Sequence, residues 1–389
     1  MQFALSKELE MLRKEVRNFA AKKIAPNVDQ WDADHYFPYK EALLPMGELG
    51  FFGTVIPEAL GGDQMQEGFL AAMIITEEIA RVSSSLRVQI NMQGLGCAYT
   101  IYRYGTAELA QKYVPKLVSA QYVGGFGITE PDAGSDVMAM ASTAEDRGDH
   151  WLLNGSKTWI SNANMADCVI YYAYTDKEKG SKGLSAFVVE LKNAEGVKTT
   201  ALEKMGSFSS PTGEIFLTDT PVPKENILGE PGDGARIVFS SLNQTRLSAA
   251  AGAVGVAQAC LDTAVKYCGE RKQFGKPVGQ FQMNQDMIAQ MSTEIEAARL
   301  LVYKAAWEKD QGQLNNGLTV AQAKYFAGEA VTKAANYAMR ILGAYGYSTE
   351  YPIARIYRDT PTYTMVEGSA NICKWIIALD QLGIRKANR

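Results

Sequence analysis

"HWLLNGSKTWIS", His150 to Ser161, is the stretch whose reading decides the fold. It sets β-prone residues on either side of an Asn154-Gly155 pair, and such a pair between strand-forming runs is a strong hairpin signal. "CVIYYAYT" (168–175), "GLSAFVVEL" (183–191) and "EIFLTDTPVP" (214–223) follow as short β runs separated by Gly, Asp and Pro. Residues 123–229 are therefore expected to form a small β-barrel or sandwich.

Outward from this block the pattern becomes helical on both sides. Upstream, Leu9, Leu12, Val16 and Phe19 step by three and four, which is one face of a helix from Ser6 to Ile24 that Pro26 ends. "FLAAMIITEEIARV" (69–82) and "ELAQKYVPKLV" (108–118) continue the habit, so residues 1–122 read as an α-helical domain. Downstream of "GEPGDG" (229–234) four helical stretches are expected: Leu247–Tyr267, Phe281–Lys309, Thr319–Leu342 and Ser369–Leu382. Together they suggest a bundle over 230–389. The order is α, β, α, a multidomain α+β chain of 389 residues. That length exceeds one comfortable core.

Composition narrows the function. The net charge of -4, with signs interspersed, leaves no basic stripe for nucleic acid. Two histidines, His35 and His150, nearly exclude a His-based zinc site and weaken any Ser-His-Asp scheme. No metal is expected, and acid-base work falls to carboxylates, Lys or Tyr. Five scattered cysteines without a CxxC pair fit reduced thiols in a cytoplasm. The N-terminal stretch mixes charges and lacks the apolar core of a signal peptide. "LSAAAGAVGVAQACL" (247–261) is expected to be too short to span a bilayer, so no membrane insertion is expected.

Several segments can carry chemistry. "FGITEPDAGSD" (126–136) collects hydroxyls, carboxylates and two glycines, whose free backbone N–H groups suit a ring-edge carbonyl or a phosphate, although a plain polar loop is the commoner meaning. In "KTWIS" (157–161) the Trp either stacks on a planar ligand or fills the barrel core, and composition alone favours the core. In "ERKQFGKPVGQFQMNQ" (270–285) Arg271 offers a donor fork suited to pyrophosphate, or simply caps a helix. In "LNQTR" (242–246) the ordinary reading of Arg246 is a salt bridge. "TYTMVEGSANICKW" (362–375) holds one acid, Glu367, beside Met365 and Val366. If those side chains desolvate it, its pKa rises and it becomes a stronger base.

Taken together, "TEPDAGSD", "KTWIS", "ERKQFG", "ILGAYGY" (341–347) and the Glu367-Gly368 pair resemble the acyl-CoA dehydrogenase family over essentially the whole chain. The resemblance implies an N-terminal helical domain, a middle β-barrel and a C-terminal four-helix bundle. It also implies FAD as cofactor, a homotetramer, and electron-transferring flavoprotein as electron acceptor. By position, Phe126, Ile128, Thr129, Gly134, Ser135, Trp159, Ile160 and Ser161 would line the flavin, with Ser135 also near the acyl-CoA. Arg271, Phe274 and Gln282 with the turn Arg340, Leu342, Gly343 and Ala344 would reach a neighbouring subunit's FAD, and Ser369 and Asn371 would add further contacts. Asn243 and Arg246 match positions near CoA. Ala344 and Asn243 depart from the family's usual glycine and aspartate.

Glu367 matches the family's catalytic base, which takes the proton α to the thioester while a hydride leaves the β carbon. Val366 and Gly368 would flank the thioester. "RVSSSLRVQINMQG" (81–94) resembles the segment of glutaryl-CoA dehydrogenases in which "SSxR" holds the distal carboxylate, here Ser84, Ser85 and Arg87. The bland alternative for Arg87 is an ion pair with Glu77 or Glu78. Decarboxylating relatives tend to carry Tyr before the base and Glu near position 80. Val366 and Ala80 stand there instead, which points to glutaryl-CoA oxidised to glutaconyl-CoA with its carboxylate kept. The alternatives are a decarboxylating enzyme giving crotonyl-CoA, a short-chain acyl-CoA dehydrogenase, an acyl-CoA oxidase, and a non-catalytic flavin-binding paralogue.

Overall fold

The computed structural model describes residues 4–192 and 194–384. The first three residues of the N-terminal stretch and the extreme ends of the expected domains lie outside them. Helices run from Lys7 to Val118, strands from Gly124 to Leu228, and helices again from Gly234 to Gln381.

The first helix, Lys7–Phe19, starts where Ser6 Oγ accepts from the Leu9 N–H and continues as a π-helical segment to Ile24. Leu9, Val16 and Phe19 are buried, as the three-four spacing predicts. Every residue of the Gly68–Ala80 helix is buried, because it packs against both Gly234–Glu270 and Gln282–Asp310. Three helices of the C-terminal region are long, with 37, 29 and 26 residues. The fourth, Ala370–Gln381, has only 12.

The Gly234–Glu270 helix is long and apolar enough to cross a membrane by length and composition, which the 247–261 reading understated. In the fold 72% of its apolar window is buried inside the protein. Its small residues have a packing reason. A β-carbon at Gly255 would stand 2.1 Å from the Glu77 carbonyl oxygen, and one at Gly252 would stand 2.7 Å from Arg87 Cδ. The stripe lets the Gly68–Ala80 helix and the Arg87 side chain approach.

The strands are β1 (Gly124–Gly127), β2 (Thr143–Asp146), β3 (His150–Ser161), β4 (Cys168–Tyr174), β5 (Leu184–Glu190), β6 (Val197–Ala201), β7 (Thr212–Pro223) and β8 (Ile227–Leu228). They form one mixed sheet in the order β6-β7-β3-β2-β4-β5-β8, with β1 parallel to β4. The sheet curls round its own apolar core of Leu153, Ile160, Tyr171, Phe187, Ile215 and Leu217. Its other face joins the helical core through Cys168, Ile170, Tyr172 and Tyr174 of β4. Burial on both faces explains why "CVIYYAY" is apolar without alternation.

The Asn154-Gly155 pair is not a hairpin turn. β3 runs straight through it, and the pairing with β7 shifts register between Leu153 and Gly155. Gly155 has φ +146, and a β-carbon there would stand 2.2 Å from Ser142 Oγ. Asn154 instead exchanges hydrogen bonds with Asp219 across the bulge. The glycine is needed for close approach of a neighbouring strand, a requirement that local turn chemistry does not reveal.

Candidate active site

Glu367 stands between a short helix, Thr362–Met365, and the Ala370–Gln381 helix that Ser369 caps. Its φ of +57 is left-handed, a conformation that costs a non-glycine residue about 1–2 kcal/mol. Gly368 follows at φ +84, and a β-carbon there would meet Arg246 Nη2 at 2.9 Å. The carboxylate is held at both oxygens. Oε1 accepts from Asn91 Nδ2 at 2.9 Å, and Oε2 accepts from the Thr245 hydroxyl. Met365 and Val366 are 61% and 37% exposed, so the hydrocarbon setting expected from "MVEG" is replaced by two polar donors. Arg246, 8% exposed, donates from Nε to the Glu367 carbonyl at 2.8 Å rather than forming a salt bridge.

Asn91 lies on a nine-residue π-helical segment, Ile90–Ala98, that continues the Ser84–Gln89 helix. Arg87, one turn before Asn91, is 3% exposed. Its Nε donates to the Tyr363 hydroxyl at 3.2 Å, its guanidinium carbon lies 4.9 Å from that ring's centre, and Ser84 Oγ shares the same hydroxyl at 2.9 Å. Ser85 is buried beside it in sequence. Glu77 and Glu78 are engaged elsewhere, by Arg299 and Tyr303 and by Arg17. Among the described residues Arg87 forms no ion pair, so the internal salt-bridge reading fails. Two four-residue steps run side by side: Arg87 meets Tyr363, and Asn91 meets Glu367. They tie the arginine rigidly to the acid.

A second cluster lies at the edge of the sheet. Trp159 has φ +60 at a shift in register between Lys157 and Ile160, which turns its ring outward to 59% exposure. It is therefore not core; Ile160 is. The Thr129 carbonyl accepts from the Thr158 N–H at 2.9 Å, which brings the 126–136 loop beside the bulge. Phe126 and Ile128 are buried, Thr129 and Ser161 half-buried, and Gly134 and Ser135 exposed. A β-carbon at Gly134 would meet nothing within 4 Å. An outward indole beside an open, hydroxyl-bearing loop fits a planar isoalloxazine ring with polar edges.

Beneath the loop lies a buried ion pair, Lys157 Nζ on Glu130 Oε1 at 2.6 Å. Glu130 also accepts from the Ser142 N–H and hydroxyl. Burial opposes the charge on Glu130, yet Lys157 and these donors hold its carboxyl below the usual range. Burial pulls Lys157 down to about 8 against the attraction of Glu130.

The remaining expected contacts fall in separate places. Arg271 lies over the Tyr345 ring at 5.5 Å, so the 271–282 and 340–347 segments stand together. β9 (Lys272–Gln273) and β10 (Lys276–Pro277) form a small ribbon there, with Phe274 at its tip, 92% exposed. Gln282, Arg340, Gly343 and Ala344 are exposed, and Leu342 is buried. Asn371 is exposed and Ser369 half-buried. Asn243, 8% exposed, donates to the Leu314 carbonyl at 3.1 Å.

Sequence reasoning missed Asn91, Thr245 and Tyr363. Thr245 lies inside "LNQTR", and Asn91 is one helical turn from Arg87, so the four-residue spacing was an available signal. Tyr363 lies four residues before Glu367 in the 362–375 stretch, so the same spacing pointed to it.

Three family models match in succession: the N-terminal domain of acyl-CoA dehydrogenase over residues 6–121, the middle domain over 125–220 and the C-terminal domain over 232–381. The chain belongs to the acyl-CoA dehydrogenase family. It is an FAD-dependent enzyme of that family. It is 76% identical, over 100% of both chains, to a glutaryl-CoA dehydrogenase of Desulfococcus multivorans. Among solved structures it matches a glutaryl-coenzyme A dehydrogenase in complex with glutaryl-CoA, with TM-score 0.99 and 76% identity over 100% of this chain and 98% of that one. A structure described under the electron transferring flavoprotein of Acidaminococcus fermentans matches with TM-score 0.95 and 37% identity, over 99% and 100% of the two chains.

Proposed function

We propose that this acyl-CoA dehydrogenase oxidises glutaryl-CoA to glutaconyl-CoA and keeps the distal carboxylate. The observation that carries this reading is Arg87, a buried guanidinium with no carboxylate partner among the described residues, fixed one helical turn from the residue that holds Glu367. A buried unpaired cation is costly unless a ligand completes it, and a carboxylate fits the guanidinium fork in two-pronged fashion. With Ser84 and Ser85, Arg87 would hold the far end of the substrate and so orient its α carbon toward Glu367.

Glu367 takes the α proton. Asn91 and Thr245 keep its carboxylate in a single orientation, so little reorganisation is needed when the proton moves. Val366 and Gly368 flank the thioester, with the Gly368 N–H as a donor for its oxygen as enolate character develops. FAD, when bound, supplies two-electron acceptance for the β-hydride. Thr129, Gly134, Ser135, Trp159 and Ser161 would hold it at the sheet edge, backed by Phe126, Ile128 and Ile160. Ser369 and Asn371 would add contacts, and Arg271, Phe274, Gln282 and the 340–344 turn would serve a neighbouring subunit's cofactor. Ser135, Asn243 and Arg246 would face the CoA side. That sharing of residues implies a homotetramer. Electron-transferring flavoprotein is the expected acceptor and the cytoplasm the expected place.

Decarboxylation would move charge out of the distal carboxylate and require a proton donor for the resulting dienolate. Val366 and Ala80 offer hydrocarbon at the two positions where decarboxylating relatives carry Tyr and Glu. The one phenol at Arg87 among the described residues, Tyr363, is bound to Arg87 and Ser84. The test is product analysis: holoenzyme, glutaryl-CoA and an artificial acceptor should yield glutaconyl-CoA without CO2. Crotonyl-CoA with one CO2 per turnover would refute retention of the carboxylate. Faster turnover of butyryl-CoA than of glutaryl-CoA would refute the substrate.

A further inference from the structure

The segment that carries Glu367 crosses one face of the Gly317–Leu342 helix, and two residues one turn apart on that helix meet it. A β-carbon at Gly328 would stand 2.9 Å from the Tyr363 carbonyl oxygen, so this glycine admits the segment at close range. Lys324, one turn earlier and 1% exposed, donates from Nζ to the Gly368 carbonyl at 2.7 Å. From the opposite side, Arg246 donates to the preceding carbonyl, that of Glu367. Both residues of this turn are left-handed, so their backbone must be held by groups outside it.

We propose that Lys324 is a positioning residue for the base: with Arg246 it fixes the two successive carbonyls of Glu367 and Gly368 and thereby aims the Glu367 carboxylate. The proposal rests on the reading of Glu367 as the proton acceptor. A lysine that merely filled the helix face would be out of place, because hydrocarbon packs there without desolvating an amine. Among the described residues Lys324 forms no ion pair, and its hydrogen bond goes to the catalytic turn. Burial draws its pKa down to about 8, opposed by Cys373 and Glu367 and reinforced by Arg246 and Arg87. An amine donates a hydrogen bond in either protonation state, so the contact survives that titration.

Lys324→Met keeps the length and removes the donor; Lys324→Gln keeps a donor without charge. In FAD-loaded enzyme, Lys324→Met should lower kcat for glutaryl-CoA about 10–100-fold, the loss expected from a misaimed group. KM should stay within roughly twofold, since binding at Arg87 is untouched. Lys324→Gln should recover most of the loss. A Met variant with the parent kcat, or a change confined to KM, would overturn the proposal. Should the Met variant fail to fold, Lys324→Ala, which also removes the donor, decides in its place: a lowered kcat at unchanged KM supports the role, and unchanged kcat or raised KM refutes it. Glu367→Gln separates the two claims. If it still turns over at the parent rate, the base assignment falls; if it is dead while Lys324→Met is fully active, only the positioning role falls.

Discussion

Two buried cations in this molecule are treated in opposite ways. Lys157, inside the sheet and 0% exposed, is clamped to Glu130, whose remaining capacity is used by Ser142 and the Ala141 N–H. Arg87, inside the helical body and 3% exposed, receives a phenol oxygen and an aromatic face and no carboxylate. The first charge is completed within the protein and serves architecture: it ties β3 to the 126–136 loop. The second has no carboxylate among the described residues, and the proposed substrate would supply one. The difference teaches that burial alone does not mark a functional charge; what matters is whether the fold supplies the counter-charge.

The comparison breaks most sharply on stability. Lys157→Met leaves Glu130 buried and unpaired and should cost about 3–5 kcal/mol in denaturant unfolding, with loss of bound FAD as the loop loosens. A midpoint unchanged from the parent would erase the distinction drawn here. Arg87→Met sharpens it from the other side. Removing a buried cation whose recorded partner is a phenol rather than a carboxylate should cost far less stability than Lys157→Met, while kcat/KM for glutaryl-CoA falls roughly 100-fold, about 2.7 kcal/mol, and that for butyryl-CoA persists. Equal losses on both substrates would make Arg87 structural. The smallest effect is in pH. Because the folded Glu130 carboxyl titrates below its unfolded value, its stabilisation is fully present above the ordinary carboxylate range and fades as pH falls through the folded value. Glu130→Gln should therefore flatten the acid limb of the stability profile measured between about pH 6 and 3, whereas Arg87→Met should leave that limb unaltered.

How much of this was legible in one dimension differs by residue. Glu367 and Arg87 were picked out because the segments around them resemble the family's base and its "SSxR" arginine, and "CVIYYAYT" was readable as a β run from its strand-forming residues. Asn154-Gly155 was misread because its glycine answers to Ser142, thirteen residues earlier and just before β2. For Trp159 composition alone favoured the core while the resemblance put it at the flavin; a register shift, invisible in composition, turns it to the surface. Asn91 and Thr245 carry ordinary polar side chains whose meaning arises only when 276 and 122 residues of sequence separation close to hydrogen-bond distance.

By itself, then, the sequence determined the α, β, α order, the acid at the end of the chain and the arginine near its beginning. Those are set by residue type and local periodicity, which need no knowledge of distant neighbours. Only the tertiary structure decided that the acid is held by two donors instead of hydrocarbon, that Arg87 meets a phenol and no carboxylate among the described residues, and that a lysine from the Gly317–Leu342 helix grips the turn. Each of these is a statement about which groups meet across tens to hundreds of residues. Hydrogen bonds and ion pairs reach about 3 Å, and nothing in a local pattern specifies which distant atoms will arrive within that range.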